Sequence, residues 1–380
     1  MNNLFQCCNT KEKINQRPTK QQEGALNLLK LLATIAIVLA HYQQTTGAVF
    51  EKGINFFNGA FNWGFMVELF FILSGYFAYG YIKKIDSQET FFTFWRKKYI
   101  RFLPLLFITG VATMLVLFWM RIKFGSAFTY SLWACLGGMF GFGRWFSTDI
   151  VLNNPTWYID VLLLCYAVFY YATYLAKKRQ TNPASAYLVV ACIGILMYEL
   201  VNKYKISLPF ISSYIARGLI CFFFGLLLRE LLEKFELHKN PTCISLSTLY
   251  FIGFVYYFIN QPDFLQDKLY YIMCFTVFPA VIVMFKVEFI QKLCSAKLFT
   301  HLSNVTYHTF MWHTPFRYLF VNSLRLSNIA TGTRSAMNLC LLFSFLLGVV
   351  SNTIEILIKK HSLKRKNEKN TQGDKSNETA

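Results

Sequence analysis

The chain has 380 residues, 55% of them hydrophobic and only 15% charged, where an ordinary soluble domain carries about a quarter charged residues. That balance excludes a water-soluble globular enzyme and makes lipid the solvent for most of the chain. The formal net charge of +19 would suit nucleic acid, but lysine and arginine cluster in short connections between apolar runs, so no nucleic-acid partner is expected.

Residues 1–24 are polar, carry Lys11, Lys13, Arg17 and Lys20, and read as a cytoplasmic segment without a cleavable signal peptide. Apolar segments follow at about 26–43, 61–82, 103–120, 127–143, 157–176, 186–201, 210–228, 244–260, 269–286, 301–322 and 335–358. The basic connections 83–101 and 177–179 and the tail after Lys359 belong on the cytoplasmic side. Segment 103–120 then runs outward and 157–176 returns, so 127–143 cannot cross. Its Gly137, Gly138, Gly141 and Gly143 suit a re-entrant or interfacial segment on the outer side. The expectation is an all-α integral membrane protein with about ten transmembrane helices and both termini cytoplasmic. One multi-spanning domain covers 25–358, followed by a basic, polar and disordered cytoplasmic tail at 359–380. The ten cysteines are scattered without metal-ligand spacing, so they read as reduced, packed thiols, and no metal is expected.

Ionisable groups within spans are costly, and each marks a candidate site. Lys30 and His41 lie eleven positions apart in the first span, within about 20° of one helix face and roughly 16 Å apart along it. Taken singly, Lys30 could be an edge anchor and His41 an interfacial histidine; their shared face favours a site. Glu68, Asp160, Arg217 and His313 fall in four other spans, at depths toward the outer side. A histidine beside a carboxylate can act as general base. On the inner side, Arg96, Lys98 and Arg101 precede Pro104, either as topological anchors or as a cationic mouth for phosphates.

Together these segments resemble the membrane acyltransferase 3 family, which includes O-acetyltransferases of cell-surface polysaccharides. The resemblance rests on Lys30 (usually arginine) separated by ten residues from His41, on Glu68-Leu69-Phe70-Phe71 with Ser74-Gly75, and on Lys98 to Arg101 with Pro104. It continues through Trp157 to Asp160 with Tyr166, Arg217 with Phe222, Phe223 and Gly225, and Val305-Thr306-Tyr307 to Trp312-His313. It spans most of the chain.

The resemblance implies a multi-pass enzyme of a bacterial-type inner membrane. The donor would be acetyl-CoA or another acyl-CoA, its phosphates near Lys98, Arg101, Arg96 and Lys30. The acceptor would be a saccharide or lipid-linked glycan, reached among membrane lipids, and the chain would either acylate it directly or hand the acyl group to a separate cell-envelope biosynthesis partner. His41 would deprotonate the acceptor hydroxyl or carry the acyl group, with Glu68 or Asp160 orienting its ring. His313, Arg217 or Ser74 would polarise the acyl oxygen, and Trp157 would stand beside the acid. Two other classes fit multiple spans with buried carboxylates and imidazoles. One is a proton-coupled carrier or flippase, although no paired halves are visible; the other is a glycan polymerase, although the loops are short.

Overall fold

A backbone within hydrocarbon has no water to satisfy its amides, so an apolar stretch of about 20 residues crosses as a helix. The computed structural model describes residues 20–57, 59, 63–86, 89–125, 131–146, 152–260, 269–294 and 297–378. Among these the only β pairing is an isolated bridge between Leu208 and Ile211. Residues 1–19, most of the expected N-terminal segment, lie outside the described set.

The helices are α1 (Lys20–Thr46), α2 (Met66–Ala78), α3 (Phe91–Phe124), α4 (Leu132–Phe140), α5 (Thr156–Lys178), α6 (Pro183–Tyr204) and α7 (Ser213–Lys234). The second half holds α8 (Pro241–Asn260), α9 (Leu269–Ile272), α10 (Phe278–Phe285), α11 (Glu288–Cys294), α12 (Lys297–Leu326) and α13 (Arg334–Glu378). Among the described residues, six are long and apolar enough to cross a membrane: α1, α2 with its flanking turns, α3, α5, α6 and α13. A seventh is reached if Leu269–Phe285 and Glu288–Cys294, bent by 77°, count as one span.

The helices α7 and α12 stand outside that apolar set although they have 22 and 30 residues. Their polar side chains explain it. Thr309, His313 and Arg317 on α12 are buried in the protein, and Arg217 on α7 is half-buried and paired with Glu68. Packing fits this placement: α7 lies against α2, α5 and α6, and α12 against α1, α3 and α13.

Two expectations meet the structure directly. α4 has nine residues, roughly 14 Å of helix, less than half the hydrocarbon thickness, so it is too short to cross. It ends at Gly141, whose φ of +79° closes the helix through a bond from its amide to the Gly137 carbonyl. Residues 127–130 of that segment lie outside the described set. After Lys359, where a disordered tail is expected, α13 continues as helix to Glu378. Extending an existing helix avoids the cost of nucleation, so a polar sequence can follow where its own composition would not start one.

The tightest packing joins α2 to α7. A Cβ at Gly75 would stand 1.8 Å from the Phe222 carbonyl oxygen, and one at Gly225 would stand 2.0 Å from that of Ile72. The two helices therefore meet backbone to backbone, with a glycine from each at the crossing. Neither contact is with a movable side chain, so the whole helix must shift. Gly75→Val or Gly225→Val is expected to destabilise the protein by about 3 kcal/mol or more, read by thermal unfolding in detergent. An unchanged midpoint for both would contradict the crossing.

Candidate active site

A cavity of about 490 Å³ lies between α1, α2, α3, α5 and α12. One stripe of each helix lines it: Asn27, Lys30 and Thr34 on α1, Phe70, Ser74 and Phe77 on α2, and Ser303, Thr306 and Phe310 on α12. These spacings of three and four residues put each set on one helix face. Lys30 and the exposed Arg101 bring positive charge to one end, with the amides of Asn27 and Asn304 also in the lining. The Lys30 ammonium lies 4.5 Å from the Phe77 ring centre. Lys98 is held just behind this end, 3.5 Å from the Tyr81 ring and 4.8 Å from that of Tyr166, which itself lines the cavity. Arg96 is exposed and is not among the lining residues.

At the other end three rings close together. Phe70, Tyr158 and Phe310 meet pairwise at 5.9–6.1 Å between centroids. The Ser74 hydroxyl bonds that of Tyr158 at 2.9 Å, tying α2 to α5. Ser74 is thus a wall residue of the cavity and a support for Tyr158.

One helical turn beyond the rings, His41 and His313 meet. Their planes are within 3° of parallel, and His41 Nδ1 lies 2.8 Å from His313 Nε2. His313 Nδ1 in turn lies 2.6 Å from the Phe310 carbonyl oxygen. A carbonyl only accepts, so His313 Nδ1 carries the proton. With both rings neutral, His313 Nε2 is then bare and accepts from His41 Nδ1–H. His41 Nε2 is left with an unprotonated lone pair. The arrangement fixes one tautomer at His41, which a general base needs. His313 is buried, and His41 is half-buried.

The stretch around Pro315 supports this placement. Pro315 has no N–H to offer the Met311 carbonyl four residues earlier. The buried Asn153 amide takes that place, donating to the Met311 oxygen at 3.2 Å. The turn before α5 is thereby pinned to α12 beside the histidine.

Neither carboxylate expected beside His41 is its hydrogen-bond partner. Glu68 Oε1 accepts from Arg217 Nε at 2.5 Å, and the Arg217 guanidinium lies 4.7 Å from the Trp157 ring centre. The reason is helical phase. Glu68 shares a face with Phe71, Ile72 and Gly75, which packs on α7, while Phe70, Ser74 and Phe77 face the cavity. Asp160 accepts from the backbone amides of Gly143 and Arg144, the latter at 3.0 Å, and its own carbonyl accepts from Trp145 Nε1 at 2.7 Å. It anchors the turn after α4. The hydrogen-bond partner of the His41 ring is instead His313, itself bonded to the Phe310 carbonyl, and Arg217 is engaged by Glu68 and Trp157.

The sequence pattern passed over Tyr158, Asn153 and Arg317. Arg317 carried a signal: it lies four residues after His313, hence on the same helix face, and is buried. Tyr158 and Asn153 carry no charge, so nothing in a hydropathy pattern singles them out.

Removing one member of the Glu68–Arg217 pair leaves a buried charge uncompensated. Glu68→Gln is expected to destabilise the protein by about 3 kcal/mol, and Glu68→Gln with Arg217→Gln to recover most of that loss. Thermal unfolding of the single and double variants checks this; equal losses in both would show that the pairing contributes nothing.

The chain matches the acyltransferase-domain family, Acyl_transf_3, over residues 23–353. No curated protein and no solved structure matches it. The matched stretch takes in the cavity, the histidine pair and every helix from α2 to α12, and the chain belongs to the acyltransferase 3 family.

Proposed function

We propose that this membrane acyltransferase moves an acyl group, acetyl in the simplest case, from cytoplasmic acyl-CoA to a hydroxyl of a cell-surface or lipid-linked saccharide. The observation that carries the proposal is a hydrogen-bonded histidine pair, His41 with His313, one turn past a cavity whose other end is cationic. Lys30 and Arg101, with Lys98 behind them, suit the phosphates of the donor. The eleven residues from Lys30 to His41 span roughly 16 Å, a fitting reach for the donor's extended arm. For the thioester to reach His41, the Phe70, Tyr158 and Phe310 rings must rotate aside.

In the proposed step His41 Nε2 takes the proton of the acceptor hydroxyl as its oxygen attacks the thioester carbonyl. The His313 Nε2 lone pair stabilises the imidazolium through the Nδ1–H bond, as an acid does in a hydrolase triad. Collapse of the tetrahedral intermediate breaks the C–S bond, and the leaving sulfur takes the proton back from His41. The products are the acylated saccharide and free CoA.

Ten crossings with both termini in the cytoplasm of a bacterial-type inner membrane complete the proposal, counting α7, α8, α12 and the bent α9–α11 region with the six apolar helices. In support, Lys30 to His41 on α1 and Ser303 to His313 on α12 both lead from the cationic end toward the histidines, so the two helices run the same way. The first and ninth crossings of such a chain do so. A carrier would have no use for a tautomer-fixed base, and the family is one of acyltransferases.

His41→Ala is expected to abolish acyl transfer to envelope glycans while acetyl-CoA binding persists, and His313→Ala to lower the rate by about 100-fold. Lys30→Gln and Arg101→Gln are each expected to raise KM for acetyl-CoA by about tenfold with kcat little changed. Glycan mass analysis and radiolabelled transfer in membranes check these outcomes. Undiminished acetylation in His41→Ala would remove the proposed base.

A further inference from the structure

Arg317 has no place in the step just described, and its surroundings are unusual for a guanidinium. It is 4% exposed, and its Nε and Nη1 are buried without a hydrogen-bond partner. None of the ion pairs among the described residues includes it. The groups facing it are the Tyr318 ring, 5.0 Å from its Cζ, and Cys340 on α13, with His41 and His313 close enough to feel its charge. None of these supplies a negative charge in the neutral state. Removing a cation from water costs several kcal/mol unless hydrogen bonds and an opposite charge replace the lost hydration.

Its position says what could replace them. On α12 the cavity residues Ser303, Thr306, Tyr307 and Phe310 come first, then His313, then Arg317 one turn further, roughly 6 Å along the axis. The guanidinium therefore stands on the far side of the histidine pair from the donor cavity, where an acceptor hydroxyl must arrive. His41, unlike His313, is not fully buried. Guanidinium suits carboxylate and phosphate oxygens because it offers several N–H donors in one plane.

We propose that Arg317 binds an anionic group, a carboxylate or a phosphate, on the saccharide that accepts the acyl group, so that the enzyme acts on acidic or phosphorylated sugars. The inference rests on the acyltransferase reading for the role of the bound sugar, but not for its binding. The anion seats on Arg317 and places a neighbouring hydroxyl at His41 Nε2. A neutral sugar would leave the guanidinium as it is now, with two nitrogens unsatisfied.

The test is binding of glucuronate, glucose 6-phosphate and glucose to the detergent-solubilised full chain, followed by saturation-transfer NMR or calorimetry. The expected result is that at least one charged sugar binds ten or more times tighter than glucose. Which one does so tells a carboxylate site from a phosphate site. Arg317→Gln is expected to reduce the charged sugar to the glucose level, and Arg317→Lys to keep part of the preference. Retained acetyl-CoA binding in both variants, at a cavity on the other side of the histidines, shows that they are folded. Charged sugars binding no better than glucose, or a preference that survives Arg317→Gln, would overturn the proposal. Thioester consumption measured on the same wild-type protein separates the two ideas. Turnover without anion preference sinks this inference alone, and anion preference without any thioester cleavage sinks the acyltransfer step.

Discussion

The hydrogen bond between His41 and His313 is the contact on which the site depends. It joins residues 272 positions apart, and its chemical effect exceeds its contribution to stability. A neutral pair of this kind contributes about 1 kcal/mol net. Its consequence is directional: the Phe310 carbonyl admits only a donor, so the proton order along the two rings follows, and the outermost nitrogen is free to act. In a hydrolase triad a carboxylate sets that order. Here a main-chain carbonyl of α12 does so, with no buried anion to desolvate beside the imidazole.

Helical phase divides the polar groups into separate duties. On α2, residues two apart point to different sides, so Phe70 and Ser74 serve the cavity while Glu68 is committed to Arg217 on α7. The glycine crossing of α2 and α7 brings those backbones close enough for the ion pair to be internal. On α5, Tyr158 reaches the cavity while Asp160 secures the turn after α4. The cost of ionisable groups within a membrane is thus met in several local ways: a paired carboxylate, a carboxylate capped by backbone amides, and a cation laid over a ring.

Depth could be inferred from the sequence, and direction could not. The positions of His41, Glu68, Asp160, Arg217 and His313 within their apolar segments singled out polar residues that find partners inside the fold, because a polar group in such a segment must be satisfied internally. Lys30 and His41 could be placed on one face because they share a helix. Which residue of another helix meets His41 depends on the rotation of both helices, and a run that is apolar on every side does not encode rotation. Glu68 therefore looked like a partner for His41 at equal depth, although its face turns to α7. Ser74-Gly75 and Gly225 could be recognised as family pattern, but their physical reason emerges only where two backbones touch. The short α4 was foreseeable from its glycines and from the charge count on either side.

The claim at the centre is the proton order in the histidine pair, and it can be measured directly. Nitrogen-15 spectra of the membrane-embedded protein labelled at histidine, assigned with the His41→Ala and His313→Ala variants, report which ring nitrogens carry hydrogen. The account predicts protonated Nδ1 and bare Nε2 in both rings near neutral pH. A His41 ring protonated at Nε2 with a bare Nδ1 would leave no lone pair facing the acceptor and would contradict it.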